Sequence, residues 1–131
     1  MIKFLTRYFS KHPTLLLFCI TGMTIAALLL TLIPADYLSK STIWSYDKIG
    51  HLLLFGSWTF LIGLYSMVKY PQNVNLWKIF SVGVLFGGVI EILQYLLPVN
   101  RHGNILDFCF DALGAIGAVL LLKIWGPSSG S

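Results

Sequence analysis

The sequence predicts an all-α integral membrane protein, a single bundle of four transmembrane helices with both termini in the cytoplasm. Its composition, its four long apolar runs and its distribution of basic residues predict this class. Of the 131 residues, 56% are hydrophobic and only 11% are charged, unlike a soluble domain. Such a domain needs polar residues to cover its surface, and five acidic plus nine basic residues are too few. Lipid is therefore the expected solvent.

The four apolar runs are each long enough to cross about 30 Å of hydrocarbon as a helix. A helix satisfies its own backbone hydrogen bonds in lipid, so each run is interpreted as a spanning helix. The predicted spans are Thr14 to Ile33, Ile49 to Val68, Leu76 to Leu97 and Ile105 to Trp125. Residues 1–125 are therefore expected to form one domain, and residues 126–131 a flexible tail or a leftover of vector sequence.

The distribution of Lys and Arg predicts the orientation, because short cytoplasmic segments carry the excess of these residues. One side of the predicted bundle holds Lys3, Arg7, Lys11, Lys69, Lys78 and Lys123, and the other holds Lys40, Lys48 and Arg101. Both termini are therefore expected in the cytoplasm. These bases are scattered singly between apolar runs and form no basic stripe, so nucleic-acid binding is not expected.

Acidic residues collect on the outer side in this topology. All five lie in the outer loops or at the outer ends of helices: Asp36, Asp47, Glu91, Asp107 and Asp111. Other polar residues join them there, namely Lys48, His51, Gln94, Arg101 and His102. The sequence therefore predicts one polar site at the outer face, built by the second, third and fourth spans and the loops that precede the second and fourth.

Helical spacing groups several of these residues in pairs. Residues three or four apart share a helix face, as do Asp47 with His51, Glu91 with Gln94, and Asp107 with Asp111. A carboxylate that faces lipid costs at least about 2.5 kcal/mol, so Glu91 is expected to turn into the bundle. Small residues on the third and fourth spans predict close helix packing: Gly83, Gly87, Gly114, Gly117 and Ala118.

Structural roles are alternatives for several of these residues. Lys48 and Arg101 have the character of topology anchors next to spans. Asp107 fits the first turn of a helix, where the helix dipole stabilises negative charge. A functional role is favoured for His51, because it shares a helix face with Asp47, and for Glu91, because it lies deep in the apolar zone.

The order and spacing of these polar residues resemble the VanZ-like family over about residues 45 to 120. The matching positions are Asp47-Lys48-x-x-His51, Glu91-x-x-Gln94, Arg101 and Asp107-x-x-x-Asp111-x-x-Gly114. The resemblance implies a bacterial inner-membrane protein, since the family takes its name from a member associated with low-level resistance to teicoplanin. The family is also similar to a wider group of membrane proteins proposed to act on lipid headgroups. This chain carries Asp111 where members commonly carry Asn, and the additional carboxylate would favour a cation.

The first functional hypothesis is phosphoester chemistry on the headgroup of a phospholipid or an undecaprenyl-linked substrate. Lys48 and Arg101 would bind the phosphate, because guanidinium and ammonium groups are its usual partners. His51, oriented by Asp47, is the candidate base or nucleophile, and Glu91 is the candidate acid.

The remaining polar residues are assigned to substrate binding in this hypothesis. Gln94 would position the substrate, and Asp107 and Asp111 would orient the cationic side chains. Alternatively, Glu91, Asp107 and Asp111 would hold a divalent cation through oxygen atoms. No dedicated metal site is predicted, and zinc is disfavoured by two distant outer histidines and the lack of a nearby Cys pair.

The second hypothesis is a membrane protein without catalytic activity that binds a lipid-linked cell-wall precursor, an antibiotic or a partner protein. Phosphate binding alone would use the same Lys and Arg side chains. Proton-coupled transport is a third alternative, disfavoured because the inner half of the bundle lacks ionisable residues to complete a path. Four helices bury little surface, which is compatible with a homodimer.

Overall fold

The chain folds into five helices over the residues that the computed structural model describes, which are 1–33, 43–97 and 104–126, without the side chains of 43–47 and 125. No strand occurs in these ranges. The helices are α1 (Ile2–Lys11), α2 (Pro13–Leu32), α3 (Ile43–Lys69), α4 (Leu76–Leu96) and α5 (Ile105–Trp125).

Helices α2 to α5 supply four segments that are long and apolar enough to cross a membrane. These segments are Pro13–Leu32, Lys48–Lys69, Leu76–Leu96 and Ile105–Ile124. The prediction of an all-α bundle with four spans is confirmed, and the predicted boundaries differ from the observed ones by a few residues at most helix ends. The exception is α3, which begins at Ile43, well before the predicted second span.

Local chemistry explains where several helices begin. Pro13 occupies the first turn of α2, where its missing N–H leaves no hydrogen bond unmade. The side chain of Asn75 accepts a hydrogen bond from the backbone N–H of Lys78 at 3.0 Å. The side chain of Asn104 accepts one from the backbone N–H of Leu106, also at 3.0 Å. These N-caps satisfy backbone donors at the starts of α4 and α5.

Helix α1 was not predicted from the sequence, because its 10 residues are too few to cross a bilayer. It is amphipathic instead. Ile2 is wholly buried, and Leu5 and Phe9 pack against the same apolar cluster. The exposed bases Lys3, Arg7 and Lys11 follow one another at four-residue intervals along another face.

The two ends of the bundle differ in chemistry. Where α2 begins and α3 ends, the core is apolar and contains Ile2, Leu16, Leu64, Met67, Ile79 and Leu122. Near the other end, where α3 and α5 begin and α4 ends, the buried side chains include polar ones: Thr31, His51, Gln94, Asp107 and Asp111. The polar layer predicted from the sequence thus lies at one end of the helices, opposite α1.

Helices α3 and α5 cross closely at Gly56 and Gly114. A Cβ atom built on Gly114 would lie 2.9 Å from the backbone nitrogen of Gly56 and closer still to the backbone oxygen of Leu52. Such distances leave no room for a side chain, so the predicted packing role of Gly114 is confirmed. Gly117 differs, since a Cβ there would meet nothing within 4 Å, and its predicted packing role is wrong.

The predicted packing roles of Gly83 and Gly87 on α4 are also confirmed. A Cβ on Gly83 would collide with the side chain of Thr59 on α3. A Cβ on Gly87 would lie 2.9 Å from the Cβ of Asp111 on α5. Glycine therefore lets α4 approach α3 and α5 closely.

Replacement of Gly114 by alanine is expected to lower the free energy of unfolding by about 1–3 kcal/mol, the usual cost of overpacking a close contact. The new methyl group would meet backbone atoms of α3, which cannot rotate away. Unfolding in detergent micelles, followed by circular dichroism, measures the change. Gly117→Ala is the matched control on the same helix and should leave stability unchanged or slightly higher. Equal losses in both variants would contradict a packing role specific to Gly114.

Candidate functional site

A buried histidine and a buried aspartate form the centre of the polar end. His51 Nδ1 lies 2.8 Å from Asp111 Oδ1, which is a hydrogen-bond distance across the contact of α3 with α5. His51 is 3% exposed and Asp111 is fully buried. The His51 ring also stacks on Phe55, with centroids 5.8 Å apart and ring planes within 10°. The hydrogen bond and the stacking together fix the orientation of the imidazole.

Asp111 was not predicted as the partner of His51. Helical spacing favoured Asp47, which precedes His51 by one turn, and the side chain of Asp47 lies outside the described residues. Spacing along one helix reveals neighbours on that helix alone, whereas Asp111 is 60 positions away in the chain. The orienting and catalytic role of Asp47 stays a prediction.

Glu91 on α4 completes a group of three residues. Its Oε2 atom accepts a hydrogen bond from the backbone N–H of Asn104 at 2.7 Å, which fixes the carboxylate to the start of α5. Its Oε1 atom is buried and has no hydrogen-bond partner among the described residues. One ligand atom each of His51, Glu91 and Asp111 lie within 4.8 Å of one another. These three residues are called the three-residue cluster below.

The three-residue cluster has the composition of a metal site. It offers one imidazole nitrogen and two carboxylate oxygens, which are ordinary ligands of divalent transition metals. The cation alternative from the sequence used Glu91, Asp107 and Asp111. The structure groups His51 with Glu91 and Asp111 instead.

Lys48 and Asp107 lie beside the cluster. Lys48 Nζ is 3.9 Å from Asp107 Oδ1, and the side chains are 25% and 10% exposed. This is a loose ion pair, since a charged hydrogen bond is typically about 1 Å shorter. Asp107 also occupies the first turn of α5, where the helix dipole favours its charge. The structural role proposed for Asp107 is therefore compatible with its position.

Gln94 joins two helices of the bundle. It is buried, and its Nε2 atom donates a hydrogen bond to the backbone oxygen of Thr31 at 2.8 Å. Helix α2, to which the sequence assigned no site residue, therefore contributes a backbone acceptor to the polar end. The amide group of Gln94 holds α4 against the end of α2, and its role in substrate binding stays a prediction.

An open cleft of about 450 Å³ lies between α4 and α5. Its volume is within the usual range of about 300–1,000 Å³ for small-molecule sites. Glu91 and Asn104 are polar residues of its wall, and the rest is mostly apolar: Gly88, Ile92, Tyr95, Leu96, Ile105 and Phe108. The sequence analysis missed this cleft, because it arises where Gly88 leaves space beside Phe108 on the neighbouring helix.

Four residues predicted on the outer side lie outside the described residues: Asp36, Lys40, Arg101 and His102. Arg101 is the expected partner of a phosphate. The phosphate-binding role of Arg101 therefore stays a prediction.

Comparison with known proteins assigns the chain to a family. The model of the VanZ/LLP1 family matches residues 3–126, whereas no curated protein and no solved structure is significantly similar to the chain. The family match begins inside α1 and ends just after α5, so it extends well beyond the resemblance over residues 45–120. With four apolar spans and a match over nearly its whole length, this multi-pass membrane protein belongs to the VanZ/LLP1 family.

Proposed function

We propose that the protein binds the phosphate headgroup of a membrane lipid or polyprenyl-linked substrate at the outer face of the bacterial inner membrane and acts on its phosphoester. The position of Glu91 is the observation that carries this proposal. Glu91 belongs both to the three-residue cluster and to the wall of the cleft between α4 and α5. A ligand with an apolar tail in the cleft would thus place its polar end beside the cluster.

Positive charge for the phosphate would come from Lys48 and Arg101. Lys48 lies at the polar end beside Asp107, and its ammonium would contact an incoming phosphate from there. The guanidinium of Arg101 would match two phosphate oxygens at once. Neutralising phosphate in a site of low polarity lowers the cost of placing it next to carboxylates.

The proposed chemistry is hydrolysis or transfer at phosphorus. His51, oriented by its hydrogen bond to Asp111, would remove a proton from water or an acceptor alcohol through Nε2. The oxygen of that nucleophile would form a bond to phosphorus while the bond to the leaving oxygen breaks. Glu91 would give a proton to the leaving oxygen, and proton transfer from His51 to Glu91 would restore both groups.

Binding without chemistry is the alternative favoured by the cleft alone, since an apolar groove beside a charged layer also suits a receptor for a lipid-linked precursor or an antibiotic. A contribution to teicoplanin resistance would follow from either function. Growth of cells with and without the protein at graded teicoplanin concentrations tests that contribution.

Replacement of the proton-transfer groups is expected to separate chemistry from binding. Untargeted lipid analysis of cells with and without the protein identifies the substrate, and mass spectrometry of lipid that co-purifies measures binding. His51→Ala and Glu91→Gln should each lower turnover by about 10²–10⁴-fold while the lipid still co-purifies. Lys48→Ala and Arg101→Ala should reduce the amount of lipid bound. His12→Ala, near the opposite end of the bundle, is the control. Full turnover with both His51 and Glu91 replaced would exclude the enzyme hypothesis.

A larger side chain that fills the cleft is expected to reduce lipid binding without changing the three-residue cluster. A Cβ at Gly88 would make ordinary contact with the ring of Phe108 at 3.6 Å, so Gly88→Leu should fold and extend its side chain into the cleft. The co-purified lipid should decrease several-fold. Gly117→Leu adds the same side chain to α5 at a position without neighbours within 4 Å, and it should retain the lipid. Equal retention by both variants would exclude the cleft as the binding site.

The polar end is expected to face outward, with both termini in the cytoplasm. Cys19 and Cys109 are exposed on the helix surfaces and are first replaced by serine. A single cysteine at exposed Gln72, between α3 and α4, should then resist a membrane-impermeant maleimide in intact cells. A fluorescent protein fused to the C-terminus should be bright. The opposite orientation would be shown by two results together: labelling of the cysteine at residue 72, and activity of an alkaline phosphatase fused to the C-terminus, an enzyme that is active only outside the cytoplasm.

A further inference from the structure

The three-residue cluster joins three different helices at one point. His51 comes from α3, Glu91 from α4 and Asp111 from α5, and their ligand atoms lie within 4.8 Å of one another. Histidine and carboxylate side chains are expensive to bury inside a membrane bundle, and those found there pair with one another and commonly mark functional sites. The geometry therefore points to a ligand common to all three.

The separations suit a metal ion. Bonds of about 2.0–2.2 Å to nitrogen and oxygen place two ligands of a tetrahedral ion about 3.3 Å apart. The distance from His51 Nδ1 to Asp111 Oδ1 is 2.8 Å, and the three ligand atoms span at most 4.8 Å. These values bracket the required separation. An ion would take the place of the proton that His51 and Asp111 share.

The charges around the cluster also favour a cation. Within the described part of the chain, the polar end holds three carboxylates and one ammonium group. The carboxylates belong to Glu91, Asp107 and Asp111, and the ammonium group belongs to Lys48. Asp111 is fully buried, and Glu91 Oε1 is a buried atom without a hydrogen-bond partner among the described residues. Buried carboxylates are stable when they are paired or coordinate a metal.

We infer that His51, Glu91 and Asp111 bind one divalent transition-metal ion of the Mn²⁺ or Zn²⁺ class. An imidazole ligand favours these ions over Mg²⁺ and Ca²⁺, which prefer oxygen ligands throughout. Three protein ligands are also the usual number in sites that keep a coordination position open. An open position would accept a phosphate oxygen, so the inference deepens the proposed function while its test is independent of lipid. His51 and Glu91 are then metal ligands, and this role replaces the proton transfers proposed for both residues.

Titration of the full-length protein in detergent with Mn²⁺ tests this inference directly. The electron paramagnetic resonance signal of free Mn²⁺ should fall until about one ion per chain is bound, and Zn²⁺ should displace it. His51→Ala, Glu91→Gln and Asp111→Asn should each weaken binding by at least about 10–100-fold. His12→Ala removes a histidine near the opposite end of the bundle and should bind Mn²⁺ as the unmodified protein does.

Two further measurements identify the ligands. Pulsed resonance spectra of the bound Mn²⁺ should show coupling to an imidazole nitrogen that disappears in His51→Ala. Asp107→Asn should keep most of the affinity, because Asp107 is outside the three-residue cluster. Size-exclusion chromatography and circular dichroism show whether each variant is folded, and the nearly isosteric Glu91→Gln and Asp111→Asn keep the test valid if His51→Ala unfolds. Failure of the unmodified protein to bind either ion, or unchanged affinity in folded cluster variants, would overturn the inference.

Failure of this inference can be told apart from failure of the proposed function. If the protein binds neither ion but lipid binds in the cleft and is turned over, the metal site is wrong and the proposed function stands. If Mn²⁺ binds through the three residues but no lipid depends on the cleft, the metal site stands and the proposed function is wrong.

Discussion

The close approach of three helices at glycine is the physical constraint on which the polar site depends. Gly56, Gly87 and Gly114 lie within about one turn or slightly more of His51, Glu91 and Asp111 on α3, α4 and α5, respectively. A side chain at Gly87 or Gly114 would collide with the neighbouring helix. In lipid, packing rather than the exclusion of water holds helices together, so small residues set how near their axes can come. With larger residues there, the short side chain of Asp111 could not contact His51 as it does.

This arrangement couples the stability of the bundle to its chemistry. Asp111 is fully buried and lies at 2.8 Å from His51, so one favourable contact offsets part of the cost of removing a carboxylate from water. An apolar residue would hold α3 and α5 together at lower cost. A protein that keeps two carboxylates and an imidazole within 4.8 Å of one another inside a bundle is therefore better explained by a ligand than by stability.

The sequence predicts the four spans well because length and hydropathy are local properties that lipid enforces on each helix separately. The sequence also predicts that Glu91 lies at the polar end, since a carboxylate at that position is costly when it faces lipid and must turn into the bundle. Helix α1 was missed because an amphipathic segment of 10 residues does not register as a span, although Ile2, Leu5 and Phe9 repeat with helical spacing. The pairing of His51 with Asp111 and the cleft beside Phe108 depend on how helices sit against one another, and a single sequence does not contain that information.

The core where α2 begins and α3 ends differs sharply from the polar end. Beyond Thr59, which is buried two turns past His51 on α3, the buried residues described toward α1 are apolar, among them Leu64, Met67 and Leu122. Within the described residues, this core buries no carboxylate, histidine or lysine side chain. The buried ionisable side chains are thus confined to one end of the bundle, and a charged ligand would find its buried partners at that end.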